Sequence, residues 1–193
     1  MAEGLKEIRK DALINGLILG LVLLVIDIAA LYAFAFSHST VFILLVYVLS
    51  SILLPLAAVI ILVSRLRTKI GGYWTLRQAT SGIFITFIIA YLSSSFGTLL
   101  SFKIIPSRVN LAAKTNFIDA IRSLLASIKA PQEKINGAVT SIAQRFDAAD
   151  AINVSSIFSN LIFLVIILFV AAFLFAAIFK SESPISVNQT LNS

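Results

Sequence analysis

The sequence predicts an all-α, polytopic membrane protein: four transmembrane helices, with a two-helix extramembrane hairpin between the third and the fourth. Three observations predict it. The 193 residues are 59% hydrophobic and 12% charged, whereas soluble domains carry about 25% charged residues. Four apolar runs are each long enough to cross the hydrocarbon layer, which takes roughly 20 helical residues. Between the third and fourth runs, apolar residues recur at helical spacing among polar ones, so this segment reads as structured.

The four runs are Leu13–Phe36, Val41–Val63, Gly82–Ile105 and Ser156–Phe179, within a single integral domain covering residues 1–193. The first could be mistaken for a secretory signal, because Ala33 and Ala35 imitate a small-residue cleavage site. Its apolar stretch exceeds the roughly 7–15 residues of a signal core, so it reads as a retained transmembrane helix. Pro55 in the second run removes a backbone donor and crowds the preceding turn, which predicts a kink.

Orientation follows from the basic residues. Lys6, Arg9 and Lys10 precede the first run, and Arg65, Arg67, Lys69 and Arg77 occupy the 64–81 loop. Ser37-His38-Ser39-Thr40, joining the first two runs, has no Lys or Arg. Positive charge accumulates on the cytoplasmic side, which places both termini in the cytoplasm of a bacterial inner membrane and the 108–150 segment in the periplasm. The net charge of +6 is therefore read as a topology signal rather than as a nucleic-acid footprint. In the 108–150 segment, Phe117, Ile121, Leu124 and Ile128 form one stripe. Beyond Pro131, Ile135, Val139, Ile142 and Phe146 form another. The two stripes would bury each other in a hairpin. The alternative is a pair of helices lying on the bilayer, anchored by Phe117 and Phe146.

With no Cys and one His, thiolate metal sites, disulfides and Cys nucleophiles are excluded. No HExxH, GxSxG or GxxxxGK[ST] occurs, and Gly71-Gly72 reads as a turn. His38 stands about 16 Å of helix rise from Asp27, too far for a hydrogen bond. No catalytic residue, cofactor or metal is predicted.

Asp27 interrupts LVLLVIDIAALYAF, roughly 21 Å along the helix from Leu13. At comparable depth the third run offers Ser93, Ser94, Ser95 and Thr98, and the second offers Tyr47, Ser50 and Ser51. The expected arrangement is a polar cluster of Asp27, Tyr47, Ser50, Ser94 and Thr98. An intramembrane acid costs about 2.5–3.5 kcal/mol on insertion scales, so it is usually paired or functional. Asp27 therefore either handles a proton or cation or, protonated and bonded to hydroxyls, fixes helix packing. Lys103 ends the third run, where it can snorkel to the headgroups.

Gly16 and Gly20 form a GxxxG, and Ala172 and Ala176 repeat the small-residue spacing. Both pairs predict close helix packing, within one chain or between copies. Arg65, Arg67, Lys69 and Arg77 beside Tyr73 and Trp74 serve either anionic lipid headgroups or ordinary topology signalling with an interfacial aromatic belt.

The basic start RKDALINGLILGLVLL, the segment GGYWTLRQATSGIFITFIIAYLSSSFGTLLSFKIIP and the stretch APQEKINGAVTSIAQRF together resemble a known family. These are the uncharacterised four-helix inner-membrane proteins widespread in Bacteroidota, classed as a domain of unknown function. The resemblance implies a two-helix insert after the third span and no catalytic motif. Inserts in that family are often strongly acidic; this one is not. The expected function is that of a non-catalytic accessory or structural subunit, with membrane lipids and other membrane subunits as partners, a homo-oligomer being compatible. The alternatives are a small transporter using Asp27 and a helper for enzymes acting on anionic or polyprenyl-phosphate lipids.

Overall fold

The computed structural model describes residues 2–69, 72–150 and 153–179. Among these residues there are six helices: α1 (Ala2–Phe36), α2 (Thr40–Lys69), α3 (Leu76–Ile104), α4 (Ser107–Ser127), α5 (Gln132–Asp150) and α6 (Val154–Phe179). Four of them, α1, α2, α3 and α6, are long and apolar enough to span a bilayer, and the protein is a multi-pass membrane protein.

Three helices begin before the apolar runs do, because hydropathy marks only the part that meets lipid. α1 extends back to Ala2 through its basic turns. α3 begins at Leu76 rather than Gly82. Thr75 and Gln78 cap it reciprocally there: the Thr75 amide donates to Gln78 Oε1 at 3.0 Å, and the Gln78 amide to Thr75 Oγ1 at 3.3 Å. α6 begins at Val154, set by the Ser156 amide donating to Asn153 Oδ1 at 2.9 Å. α2 also outlasts its apolar run, reaching Lys69.

A change of helix geometry accompanies the proline in α2. The turn Leu49–Leu53 widens to a π-helical one, and the Leu54 amide donates to Leu49, five residues back. That extra residue in the turn relieves the crowding a proline imposes on the turn before it.

Contacts group the chain into two compact units. Of the described residues, the first comprises 2–22, 57–69, 72–95 and 157–179. Its core joins Ala12, Val63, Leu66, Trp74 and Ile83 to Ala172 and Ala176. Small residues recur there, and they let backbones approach where lipid supplies no hydrophobic drive for helix association. Tyr91 Oη donates to the carbonyl of Ile157 at 3.1 Å, joining α3 to the first turn of α6.

The second unit comprises residues 23–56 and 96–156. α4 and α5 form the hairpin. Its turn places Lys129 at φ 54°, with the Lys129 amide on Ala126 and the Ala130 amide on Leu125, both at 3.0 Å. Two bonds of this kind satisfy the last carbonyls of a helix. α4 also packs on the N-terminal part of α2. Its buried face is Val109, Ala113, Phe117 and Ala120, so of the predicted stripe Leu124 and Ile128 remain exposed. Phe117 is the hub: its ring lies 5.1 Å from Phe34, 5.2 Å from Tyr47 and 6.1 Å from Phe146. Phe117 and Phe146 are thus core residues rather than lipid anchors.

Candidate functional site

Asp27 stands on an exposed face of α1, in the second unit. It lines a groove of about 120 Å³ with Leu24, Ile28 and Leu31 from its own helix and Thr98, Ser101 and Ile105 from α3 and its end. The helices can approach here because Gly97 has no side chain: a Cβ on it would lie 2.4 Å from Leu24 Cδ2. Ser101 donates its hydroxyl to the carbonyl of Gly97 at 2.9 Å, so its oxygen lone pairs face outward from that bond. None of the three ion pairs among the described residues involves Asp27. Lys103 is exposed in the last turn of α3 and is in none of those pairs.

The predicted polar cluster is divided by this arrangement. Thr98 joins Asp27 in the groove. Tyr47 does not: its ring packs on Phe117 and lines a separate cavity with Ile121, Ile142 and Arg145. Ser50 does not either. It is buried, donates to the carbonyl of Tyr47 at 3.3 Å, and lines a cavity with Val25, Ile26, Ala29 and Ala33. Those α1 residues precede and follow Asp27 on a different face, so matching depth did not bring the groups together. Ser94 is half-buried in the first unit and is not part of the groove lining. Ser101 is the residue sequence reasoning missed. Its spacing from Thr98, three residues along a helix, was the available signal.

The small-residue motifs resolve as contacts within the chain. A Cβ at Gly16 would stand 2.7 Å from Ile89 Cβ and 2.8 Å from the Thr86 carbonyl; one at Gly20 would meet Ser93 Oγ at 1.7 Å and the Ala90 carbonyl at 2.7 Å. Both glycines therefore seat α1 on α3. Ala172 and Ala176 are fully buried in the first unit's core.

In the 64–81 segment, two of the four basic residues have a partner within the chain. Arg67 Nε donates to the Gly72 carbonyl at 3.0 Å, and Lys69 pairs with Asp11 at 3.0 Å. Trp74 is buried, and its Nε1 donates to the Phe179 carbonyl at 2.8 Å. Arg65, Arg77 and Tyr73 are exposed. Gly72 has φ +83°, the turn geometry expected there, while Gly71 lies outside the described residues.

The family model described as Protein of unknown function (DUF4199) matches residues 14–181. The chain belongs to that family. The DUF4199 match runs from α1 to the end of α6 and takes in the Asp27 groove, the hairpin and both small-residue pairs. No curated protein and no solved structure matches the chain.

Proposed function

We propose that this DUF4199 protein is a non-catalytic accessory subunit of a larger assembly in the bacterial inner membrane, and that the Asp27 groove receives a partner's transmembrane helix. The observation that carries the reading is the exposure of Asp27. An acid set for internal packing would be enclosed by its own bundle, and an acid on a conduction path would face the bundle's interior. Asp27 instead opens outward from α1, with Thr98 and Ser101 beside it. A lipid-facing carboxylate is costly, and a Lys, Arg or hydroxyl on an adjacent helix would offset that cost. Topology in this reading follows the basic residues: both termini and the 64–81 loop are cytoplasmic, and the α4–α5 hairpin is periplasmic.

The test is a photo-crosslinker placed at Leu24, in the groove, with the protein extracted in mild detergent. One recurrent membrane polypeptide should be captured, and Asp27→Leu should abolish its capture. A strictly monomeric protein with no recurrent adduct overturns the proposal.

A further inference from the structure

A second site adjoins the Asp27 groove at Ile105, at the corner where α3 turns into α4. A cleft of about 650 Å³ opens there, within the range of small-molecule sites. Its polar wall is Ser107, Arg108, Asn110, Lys114 and Asp147, and its apolar wall is Ile105, Leu111 and Phe146. We infer that this cleft binds the phosphate of an anionic membrane lipid, with the start of the lipid's tail against the apolar wall.

Charge and geometry support it together. Arg108 is exposed, and a guanidinium presents a planar fork of donors suited to two phosphate oxygens. Lys114 pairs with Asp147, whose side chain is 63% exposed. An ammonium has three donors, so that pair orients Lys114 while leaving N–H groups for a ligand. Two cations against one carboxylate leave the cleft net positive. Pro106 forms the corner, with φ −59° and ψ 135°, and no side chain caps α4. The Val109 amide donates to the Pro106 carbonyl at 2.8 Å, and the helix dipole adds a favourable field at Arg108, which lies in the first turn.

Position selects a lipid. The apolar run of α3 ends at Ile105, and Arg108 follows within about one helical turn, at headgroup level. Leu111, 66% exposed, and Phe146 line the same cleft and offer apolar surface to the start of a tail.

The full chain, in phosphatidylcholine nanodiscs, is titrated by calorimetry with a short-chain phosphatidic acid and, separately, with inorganic phosphate. Saturable binding of the lipid is expected. Arg108→Gln should weaken it by about tenfold, as loss of a charge-assisted bond does. Lys134→Gln, at an exposed cation on α5 outside the cleft, should leave it unchanged, and far-ultraviolet circular dichroism should show every variant equally helical. Inorganic phosphate should bind about tenfold more weakly or worse, since it covers none of the apolar wall. Equal affinity in Arg108→Gln, or an equal loss in Lys134→Gln, overturns the site. Phosphate binding as tightly as the lipid overturns the lipid assignment.

Discussion

The indole N–H of Trp74 donates to the carbonyl of Phe179 at 2.8 Å, so the loop residue before α3 closes the last turn of α6. Residues 105 positions apart are joined by this bond. The acceptor is one of the terminal carbonyls a helix cannot satisfy itself. Trp74 is also 2% exposed and packs in the core with Ala176. Trp74→Phe should therefore destabilise the protein by about 1–3 kcal/mol, from an unsatisfied carbonyl and lost packing. Thermal unfolding in detergent reads the shift; an unchanged midpoint would show that the bond contributes nothing.

Two glycines in helices should respond oppositely to the same change. At Gly20 an added methyl meets Ser93 Oγ and the backbone carbonyl of Ala90. A backbone atom cannot rotate away, so Gly20→Ala should cost about 1–3 kcal/mol, and adding Ser93→Ala should recover only part of it. At Gly137, on α5, an added methyl would meet nothing within 4 Å. Gly137→Ala should stabilise by about 0.5–1 kcal/mol through helix propensity. Denaturant titration of the three variants checks both signs.

Asn116 Nδ2 donates to the carbonyls of Phe34 and Ala35, at 2.9 and 3.0 Å, and so ties α4 to the end of α1. Asn116→Ala should cost about 1–3 kcal/mol by removing both bonds. Asn116→Asp should cost more, because a carboxylate would face two carbonyls at the negative end of a helix. Hydrogen exchange at α4 amides reports the loosening, and equal protection in wild type and Asn116→Asp would refute the role.

Asp27→Leu should raise the stability of the isolated protein while lowering recovery of its partner. Removing an exposed intramembrane acid should gain on the order of 1–3 kcal/mol. Unfolding in lipid nanodiscs measures the first effect and crosslinking from Leu24 the second. A destabilised variant would instead indicate that Asp27 supports its own bundle.

The stability and partner arms separate two questions that the sequence left joined. Asp27 was visible as an anomaly in an apolar run, and its depth could be counted along the helix. Which residues share its face could not, since depth fixes position along an axis and says nothing of rotation about it. Tyr47 and Ser50 consequently sit at a plausible height on other faces, while Ser101 lines the groove. The same gap affected Phe117, whose periodicity announced a buried stripe without saying that α2, as well as α5, would cover it.

Hydropathy, run length and 3.6-residue periodicity are local properties, so the four apolar helices, the helical hairpin and the small-residue pairs were all legible along the chain. That Gly16 and Gly20 face α3, that Trp74 is buried and that Asp27 opens outward emerged only from the folded arrangement. Those outcomes depend on helix rotation and on which close approaches the side chains permit, and both are set by packing between segments far apart in the chain.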